Sequence, residues 1–133
     1  MNKKRILFIL HLPPPVYGAS LAGKFIQHSK LINGEFETTY VNLATNTRLN
    51  ETGKFNSRKL WAFISMLYTV IVQLVKVKPS VCYMTLTASG PGFYKDIIVV
   101  AILKLFRKKI IYHFHNKGVS AASISRINRM LYR

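Results

Sequence analysis

Acidic residues are the scarcest feature of this sequence. Glu35, Glu37, Glu51 and Asp96 stand against 20 lysines and arginines in 133 residues, a net charge of +16. Four scattered acids supply no paired carboxylates, which argues against an isolated hydrolase built on acid/base carboxylate chemistry. After Asp96 there is no acid, while Lys104, Arg107, Lys108, Lys109, Lys117, Arg126, Arg129 and Arg133 follow. Cys82 is the only cysteine, so an internal disulfide and a multi-cysteine metal site are both excluded. Its apolar setting between Val81 and Tyr83 reads as an inert buried thiol. A Walker lysine pattern and a G-x-G-x-x-G fingerprint are absent too. So are a helix-turn-helix signature, a zinc ligand set and an RNP-like aromatic motif, which argues against nucleic acid as the partner. The excess positive charge then expects anionic lipid head groups, phosphorylated substrates or an acidic remainder of the protein. Repeats and low-complexity tracts are absent. The basic start Asn2–Arg5 and the apolar run Ile6–Leu12 superficially resemble a secretion signal. That run is short, interrupted by His11 and lacks a small-residue cleavage site. A cytoplasmic location is expected, peripheral at the inner face of the cell membrane.

Half of the residues are hydrophobic, enough for one packed domain. Ile6–Leu10 is continuously apolar, as in a strand buried on both faces of a parallel sheet. From Ala19 the period becomes helical through Leu21, Ala22, Phe25, Ile26 and Ser29–Ile32, with Asn33-Gly34 as a helix stop. Thr38–Leu43 reads as a second strand, and Ala44–Asn56 as a polar loop. Ser57 can cap the next helix. Leu60–Val75 is almost wholly apolar, with Ser65, Thr69 and Gln73 at intervals of four forming one polar stripe. Sixteen residues would span about 24 Å as a helix, short of the roughly 30 Å hydrocarbon core, so a buried helix is expected. Lys76 and Lys78 suit its negative end, and Pro79 ends it. Ser80–Thr85 gives a third strand, and Ala88–Gly92 a turn with Pro91 in the first turn of a helix. That helix runs through Ile97–Phe106 and stops at Arg107–Lys109. Ile110–His113 is a fourth strand. From Val119 a helix is expected again, with Ile124, Ile127, Met130 and Leu131 on one face.

The order β-α-β-α-β-α-β-α predicts an α/β fold with a doubly wound, mainly parallel sheet. Ligands in such sheets bind outside the carboxyl ends of the strands. Three loops are placed there: His11–Ser20, Thr85–Gly90 and His113–Gly118. Gly18 either makes a turn or lets a diphosphate approach the backbone where the helix begins. A polyproline-ligand role for Pro13-Pro14-Pro15 is disfavoured by its place between a buried strand and a helix. His113 and His115, two apart at a strand end, are expected to point to opposite sides. Two histidines are too few for a metal site, so no metal is expected.

These pieces together resemble the N-terminal domain of the family 4 retaining glycosyltransferases, which have the GT-B fold. The matching stretches are Ile6–Leu10, Pro13-Pro-Pro-Val-Tyr-Gly-Ala-Ser20, Lys78–Met84 and Ile110-Ile-Tyr-His-Phe-His-Asn-Lys-Gly118. The resemblance spans essentially the whole chain, and the Pro-Pro-x-x-Gly-Ala-Ser loop carries most of its specificity. It implies that residues 1–133 are the Rossmann-like acceptor-side domain, incomplete at the C-terminus. The C-terminal domain that binds the nucleotide-sugar is then missing, and this piece alone is expected to be inactive. The resemblance places Gly18 and Ala19 beside the donor diphosphate, with Tyr17, Ser20 and Asn116 as further substrate-binding residues. It places His115, with His113 as second choice, on the transferred sugar. The implied substrates are a nucleotide-sugar donor and a glycan or lipid-linked acceptor in surface polysaccharide synthesis, with no cofactor and no metal. Peripheral contact with anionic membrane would fit the basic surface. The alternatives are a non-enzymatic basic α/β module binding membrane or nucleic acid, and a flavodoxin-like domain with another small ligand.

Overall fold

The computed structural model describes residues 3–44, 57–88, 90–115 and 130. Four strands, β1 (Arg5–Leu10), β2 (Glu37–Asn42), β3 (Val81–Leu86) and β4 (Lys109–Phe114), form one sheet in the order β2-β1-β3-β4. Every pairing is parallel, with Phe8 opposite both Tyr40 and Tyr83, and Thr85 opposite His113. Helices α1 (Gly18–Gln27) and α2 (Lys30–Glu35) connect β1 to β2. Helix α3 (Ser57–Val77) crosses from β2 to β3, and α4 (Gly90–Leu105) joins β3 to β4. The expected α/β fold with a parallel sheet is therefore present. Asn116 and the helix expected from Val119 lie outside the described residues, apart from Met130.

Alternation along the strands sorts the side chains into two layers. Leu7, Ile9, Val41, Cys82, Met84 and Leu86 pack with Met66, Val70 and Leu74 of α3 and Val99, Val100 and Leu103 of α4 into one core. Burial in that core pushes the Cys82 thiol up to about 11, so it is held as the protonated, unreactive form. The other sheet face carries an aromatic row. Phe8 stacks on Tyr40 with ring centroids 5.1 Å apart and lies 5.4 Å from Tyr83.

Two helical expectations need correction. The single helix expected from Ala19 to Asn33-Gly34 is broken, because Ser29 caps a new helix by accepting from Ile32 N. Asn33 then donates to the carbonyls of Gln27 and Ser29, so it stitches the break together and is not a stop signal. The helix expected to be buried over Leu60–Val75 runs longer, from Ser57 to Val77. Only its Met66, Val70 and Leu74 stripe is buried. The long apolar run thus serves one core-facing stripe and leaves an apolar surface on the other side.

Helix ends follow the local chemistry. Arg107, at φ 52°, turns the chain out of α4. There Lys108 N donates to Leu103 O and Arg107 N to Lys104 O, the paired bonds of a Schellman cap. Lys78, at φ 49°, takes the same left-handed position after α3, and Pro79 follows.

Candidate functional site

The strand order fixes where a ligand can sit. From β1 the chain departs towards β2 on one side, and from β3 towards β4 on the other. The loops after β1 and β3 therefore diverge and leave a crevice at the carboxyl edge, the switch point of a doubly wound sheet. The loop after β1 contains the cis bonds Pro13–Pro14 and Pro14–Pro15.

Across the crevice floor, His11 N donates to Thr85 Oγ1 at 3.3 Å, and His11 Nδ1 lies 3.3 Å from the same oxygen. The hydroxyl has one proton and two lone pairs, so beside the backbone N–H it can pair with Nδ1 in either tautomer of the ring. Burial lowers His11 to about 4, and the cations or partial charges of Lys95 and His115 push in the same direction. His11 is therefore a neutral imidazole at physiological pH.

Asp96, on the first turns of α4, is only 4% exposed. It accepts the Thr87 N–H through Oδ2 at 2.8 Å. Burial raises its carboxyl to about 6, against the opposing hydrogen bonds from Thr87 and the charge of Lys95. Lys95 is lowered by burial, with the Asp96 charge working against that shift; its Nζ lies 5.9 Å from the centre of the Phe63 ring. Tyr17 is raised by burial and by Asp96, and its ring lies 6.1 Å from His11. Tyr17, His11, Lys95, Asp96 and His115 thus share one electrostatic neighbourhood. A carboxyl that titrates near neutrality beside a neutral imidazole and an ammonium is suited to proton transfer and to holding an anion.

The residues expected from sequence are distributed as follows. Gly18 is exposed at the first position of α1, and a Cβ added there would meet nothing within 4 Å. Ala19 and Tyr17 are half-buried beside it. Ser20 is fully buried: its Oγ accepts from Tyr17 N at 2.9 Å and lies 2.8 Å from the Pro15 carbonyl and 2.9 Å from that of Tyr17. It braces the loop rather than facing a ligand. Replacing it with alanine would leave the buried Pro15 carbonyl and the Tyr17 N–H short of a partner. Ser20→Ala is expected to cost about 2 kcal/mol in urea unfolding, the usual penalty for such an orphaned pair. His113 bonds through Nδ1 to the Tyr83 hydroxyl.

His113 and His115 do not face opposite sides: their ring centroids are 4.2 Å apart. A strand has period two, so residues two apart share a face, and the expectation misapplied that period. His115 is exposed, and its pKa is lowered by burial and then by His113.

Sequence reading missed Lys95 and Asp96; it placed His11 and Thr85 only as the first residues of ligand-facing loops, with no role for either side chain. One signal was available. Asp96 is a lone acid in the apolar helix that follows a strand-end turn, a position where a carboxylate must be buried or exposed at a cost. Among the described residues, no three His, Cys, Asp or Glu side chains are grouped so as to hold a metal ion. A separate shallow depression between β2 and α3, lined by Tyr40, Asn42, Ser65 and Thr69 among others, holds no acid, histidine or cation. The titratable groups whose pKa values are shifted together, His11, Lys95 and Asp96, lie at the crevice instead. No protein-family model matches the chain, and neither a curated protein nor a solved structure matches it.

Proposed function

We propose that this crevice is the acceptor-side half of a retaining glycosyl-transfer site, in a domain of GT-B type that works opposite a second, nucleotide-binding domain. The observation that carries the reading is Gly18. It opens a ten-residue helix at the mouth of the switch-point crevice, with open space where a side chain would be. Backbone N–H groups at a helix start attract phosphate oxygens, and the missing Cβ lets a diphosphate come close. In this reading the α1 start and Lys95 stabilise the leaving diphosphate electrostatically. His115 contacts the transferred sugar, and the acceptor, a glycan or lipid-linked sugar, enters between the loops. No metal and no cofactor take part.

The test uses uridine diphosphate and guanosine diphosphate as probes. Their titration into the chain should shift the amide resonances of Gly18 and Ala19. Gly18→Trp starts its side chain in open space and should weaken diphosphate binding at least about tenfold, with an unchanged circular-dichroism melt as the control for folding, while Gly18→Ala should be nearly neutral. In a chain that carries the donor domain, Gly18→Trp should abolish sugar transfer. Wild-type binding or turnover by Gly18→Trp would overturn the loop assignment. A second reading, a basic α/β module without enzymatic activity, is favoured by the charge of +16; it expects no diphosphate response at the crevice.

A further inference from the structure

Helix α3 is apolar around most of its circumference. Its buried stripe is Met66, Val70 and Leu74. On the opposite side Trp61, Ile64, Tyr68, Ile71 and Val75 follow one another at steps of three and four, a line along one helix face. All are exposed, Trp61 by 71% and Tyr68 by 69%. Only 17% of the most apolar stretch of α3 is buried. Helix α4 repeats the arrangement on the same side of the sheet. Val99, Val100 and Leu103 enter the shared core, while Tyr94, Ile98 and Leu105 are exposed. An apolar surface formed by two adjacent helices is larger than scattered exposed residues account for.

The charge is distributed with equal order. All strands are parallel, so every strand starts at the same edge of the sheet. Lys3, Lys4 and Arg5 lead into or open β1; Lys76 and Lys78 precede β3; Lys104, Arg107, Lys108 and Lys109 precede or open β4. Among the described residues, only Glu35 at the end of α2 and Glu37 at the start of β2 oppose them there. The apolar stripes of α3 and α4 run into this cationic rim, Val75 being followed by Lys76, and Leu105 and Phe106 by Arg107. The rim lies at the opposite end of the sheet from the crevice.

We infer that the outer face of α3 and α4, with this rim, docks on an anionic lipid bilayer. An apolar stripe with Trp and Tyr beside lysines is the composition of a helix that lies in the membrane interface. Alone, α3 is long and apolar enough to cross a membrane. Yet the strands it connects both pair with β1, and Met66, Val70 and Leu74 hold it against the sheet. It therefore lies on the bilayer. A second copy of the chain would bring +16 against +16 and is disfavoured by that repulsion. Nucleic acid would match the rim and leave the apolar stripes without a partner. Anionic lipid satisfies both.

Trp61 is the only tryptophan, so it reports docking directly. Vesicles of phosphatidylcholine with phosphatidylglycerol should sediment the chain and shift Trp61 emission to the blue, and added salt should weaken both effects. The surface variant Tyr68→Ser with Leu105→Ser should bind at least about tenfold more weakly with an unchanged circular-dichroism melt. Lys76→Glu with Lys104→Glu should do the same through the rim, each neutralised lysine alone being worth about fivefold. The inference is overturned by unshifted Trp61 emission with anionic vesicles, or by equal binding to phosphatidylcholine alone. It is also overturned by a stable dimer in light scattering that the Tyr68→Ser, Leu105→Ser variant dissociates. Each outcome is independent of diphosphate binding at the crevice.

Discussion

Gly23→Ala is expected to destabilise the protein by about 3 kcal/mol, at the upper end of the usual overpacking cost, with a fall in Tm of roughly 10 °C. Gly23 is buried on α1. A Cβ there would sit 2.1 Å from the His11 carbonyl oxygen and 3.2 Å from its carbon, with Leu10 Cβ at 3.4 Å. The obstacle is backbone, so no rotamer change relieves it. His11 is also fixed from the other side by Thr85, and Leu10 O is held by Leu43 N. Helix α1 must therefore lift from β1, and the crevice lining moves with it. Gly34→Ala is the control: it meets nothing within 4 Å, sits inside α2 and should stabilise by about 0.5 kcal/mol through helix propensity. Paired urea melts decide the matter. If Gly23→Ala unfolds within about 0.5 kcal/mol of the parent chain, the close approach of α1 to β1 is not as described.

This glycine also shows what could be read from the residues and what could not. All four strands were legible to within one or two positions: Ile6–Leu10 from a continuous apolar run, as expected of a parallel strand buried on both faces, and Thr38–Leu43 from its β-favouring residues although β2 is mostly half-buried. Which strands are neighbours is a property of crossovers, and no local pattern encodes it. The roles of Gly18 and Gly23 differ for the same reason. Gly18 stands at a visible strand-loop-helix junction, whereas Gly23 matters only because a carbonyl from another element lies against it. Helix α3 misled in the opposite direction. Its apolar residues were visible, but a helix crossing one sheet face can bury only one stripe, so the reading of full burial failed at Trp61 and Tyr68. In the crevice, the loop and the histidines were legible. Asp96, and the bond from His11 to Thr85, came into view only once β1 and β3 were adjacent.

His11 and Asp96, each shifted by burial, are expected to give stability a pH dependence that is nearly flat between pH 4 and 6 and becomes steep in either single variant. Consider His11 first. Its pKa falls from 6.5 to about 4 on folding, so between those values the unfolded chain binds more protons. Its contribution is fully present above pH 6.5 and is lost as the pH falls towards 4, by about 3 kcal/mol. Asp96 has the opposite sign. Its pKa rises from 3.8 to about 6, so in that window the folded chain binds more protons. Its contribution is present below pH 3.8 and is lost as the pH rises through 6, again by about 3 kcal/mol. Over their shared range the two slopes oppose each other. Asp96→Asn keeps an oxygen to accept the Thr87 N–H and removes one slope. That variant should gain about 3 kcal/mol relative to the parent at pH 7.5 and lose stability steadily on acidification from pH 6.5 to 4. His11→Gln removes the other slope and should become more stable as the pH falls from 6 to 4. Urea unfolding of the parent and both variants across this range gives the three curves. Parallel curves would mean that neither group is held by burial in the state described. Opposed slopes would place a neutral imidazole and a half-titrated carboxyl in the same crevice near pH 6.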